Sequence, residues 1–195
     1  VPKKLILPVA IPHDLEHVNN PLITLVIPTY KRIEVWPNLL RSLTVQTKMP
    51  DVIVVVDQST DALHHELKRL CTEMLPHVTW NFIQLATPNR CQAKDLGIHS
   101  AAEGIVVVID DDLWLPKDFL EYYHTYLSQS PKQVLTTRII ELDRPLLRTK
   151  KVQRYTWYGH FYNNNYSLKP ADSLISVTGA CFGFVMSSDV RHIHF

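Results

Sequence analysis

Apolar residues are grouped along the chain in a pattern that changes between short runs and longer helical repeats. Three runs of apolar or β-branched residues cover positions 23–27, 52–56 and 105–109. Each run is too short for a helix and continuous enough for a strand that is buried on both faces. A fourth segment, 78–85, alternates between apolar and polar residues and is predicted to be another strand.

The segments between these strands carry apolar residues at helical spacing, which predicts four helices. Their expected spans are 34–46, 62–75, 91–103 and 116–128. Asp61 is expected to cap the second helix at its start, and Gly104 to end the third. Residues 23–128 therefore form four strand–helix units. Right-handed crossovers between such units give an α/β fold with a mainly parallel sheet and helices on both faces.

The two flanks of this regular region are less patterned. Four prolines in residues 1–21 predict an extended lead-in with at most one short strand. After residue 130 we expect a strand over 134–140, an aromatic and asparagine-rich loop over 155–166, and a strand over 180–186. No internal repeat or linker separates these parts, so residues 22–195 are predicted to form one domain.

Composition and charge exclude several classes of protein. Twenty basic and nineteen acidic side chains leave a net charge of +1, which does not indicate nucleic-acid binding. No apolar run is long enough to span a bilayer. The three cysteines form no CxxC pair, which favours neither a zinc site nor a disulfide framework and suits a reducing cytosol. A local basic cluster is either a solvated loop face or a site for an anionic acceptor or lipid head group. It consists of Arg144, Arg148, Lys150, Lys151 and Arg154.

Polar residues follow three of the predicted strands, at 28–32, 57–61 and 110–112. In an open parallel sheet, ligands collect at the carboxyl ends of the strands, so these segments are expected to form one site. The five glycines match neither the dinucleotide fingerprint nor the phosphate-binding loop. A bound nucleotide would therefore need its phosphates held in another way.

The acidic run Asp110, Asp111 and Asp112 is the strongest candidate for chemistry. Three adjacent carboxylates at a strand end repel one another unless a cation offsets their charge. Mg²⁺ and Mn²⁺ bind through one or two carboxylates together with phosphate oxygens, so the run predicts an ion shared with a diphosphate. The alternative is that these aspartates cap the next helix or lie in solvent.

Two further residues have a functional and a structural interpretation. Asp57 is placed to accept a hydrogen bond from the N–H edge of a nucleobase, or it is a turn residue. Tyr30 is placed to stack on that base, or it is an ordinary aromatic residue at the sheet edge. His64 and His65 are expected on an exposed helix face without a role.

Four ordered segments resemble the landmarks of glycosyltransferase family 2. They are 27–32 (IPTYKR), 54–61 (VVVDQSTD), 89–97 (NRCQAKDLG) and 109–112 (IDDD), with a weaker likeness at 178–184. The resemblance covers roughly residues 22–127. It implies the GT-A fold, a three-layer αβα arrangement around a mainly parallel sheet. It also implies inverting transfer of a sugar, such as a hexose, from a nucleoside-diphosphate donor to an acceptor hydroxyl.

The resemblance also implies roles for individual residues. The implied ligands of the nucleotide are Pro28, Thr29, Tyr30, Arg32, Asp57, Lys94 and Asp110. The implied ligands of Mn²⁺ or Mg²⁺ are Asp110, Asp111 and Asp112, in either of two registers. The expected donor is of the UDP or dTDP type, and the acceptor is a carbohydrate, a lipid-linked or another hydroxyl compound. The expected location is the cytoplasm, either free or peripheral at the inner membrane face.

The sequence departs from the family pattern in several places. Val56 and Cys91 replace a common aspartate and a common glycine, and Lys94 replaces a common arginine. We name no catalytic base, since the acidic motif that supplies it in the family would follow Phe195 and the domain is expected to be truncated before it. Two late carboxylates, Asp172 and Asp189, fit a loop and a helix cap better. His192 and His194 either complete a metal shell or are terminal histidines.

Two other functions remain open at this point. The first is a domain that binds nucleotide sugar and metal without turnover. The second is a phosphotransfer or phosphatase domain. The second would need a nucleophilic aspartate after the first strand of the sheet, where the chain has Pro28, Thr29 and Tyr30.

Overall fold

A computed structural model describes residues 21–136, 181–188 and 190–191 in full, and the backbone of four further strands. The described strands are β1 (Lys4–Leu7), β2 (Ile23–Thr29), β3 (Val52–Asp57), β4 (Thr79–Gln84), β5 (Gly104–Ile109), β6 (Leu135–Thr136), β7 (Arg138–Glu141), β8 (Lys151–Tyr155), β9 (Phe161–Asn165) and β10 (Cys181–Met186). The described helices are α1 (Trp36–Leu43), α2 (Asp61–Met74), α3 (Arg90–His99) and α4 (Phe119–Gln129), with a 3₁₀ turn at Ile33–Val35.

Six strands form the main sheet, in the order β4-β3-β2-β5-β10-β6. Strands β2, β3, β4 and β5 are parallel, and β10 runs antiparallel to both β5 and β6. The four strand–helix units and the mainly parallel sheet are thus confirmed. Two antiparallel pairs, β1 with β7 and β8 with β9, lie outside this sheet.

The sheet divides the core into two apolar layers because successive side chains of a strand point to opposite faces. In β3, Ile53 and Val55 pack with α1, α2 and α4, whereas Val54 and Val56 pack with α3. Gly97 lets α3 lie directly on the sheet. A Cβ atom there would overlap Val26 and lie 3.1 Å from a methyl group of Val56.

The first and third helices end earlier than their predicted spans. The first begins with the 3₁₀ turn, and α1 ends at Leu43. Helix α3 ends at His99, and Gly104 begins β5 rather than ending the helix. The φ angle of Gly104 is 137°, and a Cβ atom there would lie 2.6 Å from the carbonyl oxygen of Leu22. The glycine is therefore required by the strand that follows it.

The cap of α2 and the start of α4 were also predicted incorrectly. Thr60 is the N-cap of α2, and Asp61 is its first helical residue. Helix α4 begins at Phe119, and the side chain of Gln46 accepts a hydrogen bond of 3.1 Å from the backbone N–H of Leu120. A side chain 74 positions away thus satisfies a donor of the first turn, which local sequence does not reveal.

The predicted loop over 155–166 contains strand β9, which pairs antiparallel with β8. Its aromatic residues suit a strand, and the asparagines obscured that preference. Among the described residues, no helix is long and apolar enough to cross a bilayer.

Candidate functional site

A cavity of about 510 Å³ lies where β2, β3 and β5 end, beside the start of α3. Its volume falls in the range of small-molecule binding sites. Its lining consists of Pro28, Thr29, Tyr30, Arg32, Gln58, Pro88, Asn89, Arg90, Asp110, Asp111 and Asp112. The sheet therefore brings together the first predicted polar segment and the acidic run.

Asp110 faces the cations of α3. The carboxylate lies 3.2 Å from the guanidinium of Arg90 and 3.4 Å from the ammonium of Lys94. Arg90 is largely exposed and Lys94 is buried. Burial lowers the pKa of Lys94, and the charge of Arg90 lowers it further, although Asp110 acts in the opposite direction.

Asp111 belongs to a buried hydrogen-bonded chain on the opposite side of the acidic run. The hydroxyl group of Thr29 donates to Asp111 Oδ2 at 2.6 Å and accepts from Trp36 Nε1 at 3.2 Å. Burial raises the pKa of Asp111, opposed by the Thr29 hydroxyl and the charge of Arg32. The side chain of Asp111 is thus held in place by Thr29 at the end of β2, which Trp36 at the start of α1 supports in turn.

Asp112 is paired with Arg32 at the cavity mouth. The guanidinium of Arg32 donates to Asp112 at 2.8 Å and lies 3.4 Å from Asp111. Partial burial alone would lower the pKa of Arg32, but the hydrogen bond to Asp112 and the nearby carboxylates raise it. Each carboxylate of the acidic run therefore has a cationic side chain close to it.

The donor set fits a divalent cation that is shared with a ligand. Within the described part of the chain, no three His, Cys, Asp or Glu side chains are grouped to hold an ion by themselves. Mg²⁺ and Mn²⁺ need no such cage when phosphate oxygens complete their coordination. Asp110 and Asp112 offer partly exposed carboxylate oxygens at the cavity and would hold the ion, with Asp111 between them.

Asp57 is fully buried and lies outside the cavity lining. Its Oδ1 accepts from the backbone N–H of Ser59 at 2.9 Å, and its Oδ2 lies 3.0 Å from Nδ1 of His64. The side chain of His64 is 12% exposed and meets the ring of Phe82 edge-on. The expectation that His64 lies on an exposed helix face was therefore wrong, whereas His65 is exposed as expected.

The start of α3 contributes residues that sequence reasoning did not select. Asn89 caps this helix by accepting from the backbone N–H of Gln92 at 3.1 Å. Its own backbone N–H donates to the Gln58 side chain at 2.6 Å, which links two walls of the cavity. An asparagine directly before a helical pattern is a cap signal, so Asn89 and Arg90 could have been found. Gln58 belongs to the second predicted polar segment, 57–61, whereas no comparable signal marks Pro88.

The predicted site residues fall into three groups. Those that line the cavity are Pro28, Thr29, Tyr30, Arg32, Asp110, Asp111 and Asp112. Lys94 and Asp57 lie behind the lining, each in contact with a neighbouring polar group. Asp172, Asp189, His192, His194 and the side chains of the basic cluster lie outside the described residues.

Comparisons with known proteins agree with this architecture. The sequence model described as Glycosyl transferase family 2 matches residues 24–191. No curated protein matches the chain.

Solved structures similar to the chain include a mannosyltransferase, PcManGT from Pyrobaculum calidifontis, in complex with GDP-Man and Mn²⁺. It shares 23% identity, covers 63% of this chain and 37% of its own length, and has a TM-score of 0.51. S. aureus TarS 1-349 in complex with UDP-GlcNAc shares 19% identity over 71% of this chain and 41% of its own, with a TM-score of 0.52. These likenesses confirm the GT-A-like α/β fold. The chain spans less than half the length of either structure.

Proposed function

The chain belongs to glycosyltransferase family 2, and from that premise we propose that it is a metal-dependent, inverting glycosyltransferase. The proposed donor is a nucleoside-diphosphate sugar, and the proposed acceptor is the hydroxyl group of a carbohydrate, lipid-linked or related compound. One observation carries the proposal. The acidic run, the Pro28–Tyr30 segment and the capped start of α3 enclose a single cavity at the carboxyl edge of the sheet.

The nucleoside is proposed to bind at the β2 end of this cavity. Tyr30 is 41% exposed there and can stack on a base. Asp57 lies one layer below, fully buried and outside the cavity lining, so we propose that it serves base recognition by holding the segment beside Tyr30 rather than by touching the base. The similar structures carry GDP-Man, UDP-GlcNAc or UDP, so both purine and pyrimidine donors occur among them. We propose a UDP- or dTDP-type donor for this chain.

The diphosphate is proposed to bind between the acidic run and α3. Arg90 and the N-terminal N–H groups of α3 provide positive charge there, while Lys94 supports Asp110 from below. Asp110 and Asp112 would hold Mn²⁺ or Mg²⁺ on the diphosphate, and Asp111 would keep the run in place. When bound, the ion offsets the negative charge that develops on the leaving diphosphate.

These residues bind and orient the donor so that an acceptor hydroxyl group can attack the anomeric carbon in line with the leaving diphosphate. A location in the cytoplasm, free or peripheral at the inner membrane face, is part of the proposal. No disulfide joins Cys71, Cys91 and Cys181, which is compatible with a reducing compartment.

The experiment is a thermal-shift screen of UDP, dTDP, GDP and CDP, each with Mn²⁺ and with EDTA. A ligand that binds the folded state raises the melting temperature by mass action. The proposal requires at least one nucleoside diphosphate to stabilise the protein more with Mn²⁺ than with EDTA. If no nucleotide shifts the melting temperature in either condition, the proposal fails.

A second candidate function is binding of a nucleotide sugar and metal without turnover. It is favoured by the pairing of each carboxylate with a cation, since these ion pairs must rearrange before the site can hold metal. Hydrolysis or transfer of the donor, measured as release of nucleoside diphosphate, distinguishes the two. Metal-dependent binding without such release would support the second function.

A further inference from the structure

The geometry points to His64 as a positioning residue for the nucleoside end of the cavity. His64 lies on α2, beneath the cavity and outside its lining. It acts through Asp57 and Ser59 on the segment that carries Tyr30. This inference rests on the proposed function and adds to it a residue that determines nucleotide affinity without touching the nucleotide.

The first link joins His64 to Asp57. Nδ1 of His64 lies 3.0 Å from Asp57 Oδ2, and in the tautomer that carries its proton on Nδ1 the imidazole donates to the carboxylate. The carboxylate is fully buried and the imidazole is 12% exposed, so water has little access to this pair. A buried carboxylate that loses a partner is costly, and the pair is therefore held firmly. The ring of Phe82, edge-on to the imidazole, packs against its other side.

The second link joins Asp57 to the segment after β2. Asp57 Oδ1 accepts from the backbone N–H of Ser59 at 2.9 Å, and Ser59 Oγ accepts from the backbone N–H of Lys31 at 2.8 Å. Lys31 has a φ angle of 50°, a left-handed conformation that is uncommon for a residue with a side chain. Such a conformation persists where the surroundings hold it. These contacts form a relay that runs from His64 through Asp57 and Ser59 to Lys31, and it ends on the backbone beside Tyr30.

The relay ends on the backbone of Lys31, between Tyr30 and Arg32, and makes no direct contact with the acidic run. The acidic run is held by different groups, namely Thr29, Arg32, Arg90 and Lys94. None of these four contacts involves His64 or Ser59. Loss of His64 should therefore disturb binding of the nucleoside and leave the diphosphate end unchanged.

The chain offers a matched set of variants. His64→Leu removes the donor, and His64→Asn retains a side-chain N–H at a similar position. Ser59→Ala breaks the relay one link later without altering the buried pair. His65→Leu is the control, because His65 is exposed, bonds only a backbone carbonyl of its own helix among the hydrogen bonds described, and meets His64 through an edge-on ring contact without touching Asp57 or Ser59.

The experiment measures the affinity of the full chain for UDP and for inorganic pyrophosphate by calorimetry, both with Mn²⁺. We expect His64→Leu and Ser59→Ala to weaken UDP binding about tenfold, the equivalent of one hydrogen bond to a charged group, and to leave pyrophosphate binding unchanged. His64→Asn should restore most of the UDP affinity, and His65→Leu should resemble the wild type.

The two ligands separate positioning from a general loss of structure. If UDP and pyrophosphate weaken equally in both His64→Leu and Ser59→Ala, His64 has only a structural role and the inference is wrong. Unchanged UDP affinity in both variants also overturns it. The proposed function fails in a different way, through the absence of Mn²⁺-dependent UDP binding in the wild-type chain.

Discussion

Replacement of Thr29 by valine tests whether the acidic run is held from below by the hydrogen-bonded chain through Trp36. Valine keeps the shape of threonine and removes the hydroxyl group. Thr29 is 4% exposed and Asp111 is 3% exposed, so neither water nor another described group can readily replace the lost partner. The change leaves Asp111 Oδ2 without its 2.6 Å donor and Trp36 Nε1 without its 3.2 Å acceptor.

Each buried polar group that loses its partner costs about 1–3 kcal/mol, more when the group is charged. Because Asp111 retains Arg32 at 3.4 Å, we take the two losses together as about 2–4 kcal/mol of unfolding free energy. For a chain of this size, that is a fall in melting temperature of about 5–15 °C.

Urea unfolding followed by circular dichroism gives this free energy directly. Thr29→Ser is the control, because it retains the hydroxyl group and should cost only about 1 kcal/mol for the lost methyl group. If the unfolding free energies of Thr29→Val and Thr29→Ser agree within about 0.5 kcal/mol, the hydroxyl group does not support Asp111 as described.

Two further predictions concern residues away from the acidic run. Gly97→Ala should lower the unfolding free energy by about 1–3 kcal/mol, since its Cβ atom overlaps Val26, and an unchanged urea midpoint would contradict the close packing of α3. Burial, aided by the charge of Asp57, raises the pKa of the Cys71 thiol. The unfolded chain therefore loses this proton first, and stability linked to Cys71 is lost as pH rises above about 8.5. The loss of unfolding free energy caused by Cys71→Ala should therefore be about 1–2 kcal/mol smaller at pH 10 than at pH 8. An equal loss at both pH values, measured by urea unfolding, would contradict the buried thiol.

The sequence was sufficient for the parts of the fold that depend on local pattern. Buried strands such as 105–109 are continuous apolar runs, and their carboxyl ends must meet at one edge of a parallel sheet. For that reason Pro28, Thr29, Tyr30 and the acidic run could be assigned to one cavity without coordinates.

The remaining features depend on contacts between distant residues. The cap that Gln46 provides to α4 and the contact between His64 and Asp57 arise only after the sheet has formed. The groups that support the acidic run, such as Trp36 and Lys94, could not have been deduced either, because the run follows β5 in a turn and takes its partners from other elements. Gly104 misled the prediction because one residue can either end a helix or begin a strand in a left-handed conformation.

The affinity for UDP of the wild type and of Asp112→Ala, measured by calorimetry with Mn²⁺ and with EDTA, shows whether the acidic run binds an ion that it shares with the diphosphate. Asp118→Ala, an exposed aspartate at the start of α4 without a capping hydrogen bond, is the matched control. If the ion is shared, the wild type and Asp118→Ala bind UDP far more tightly with Mn²⁺ than with EDTA, and Asp112→Ala loses this difference. UDP affinity that is the same with Mn²⁺ and EDTA in the wild type, or a Mn²⁺ effect that survives in Asp112→Ala, would contradict it.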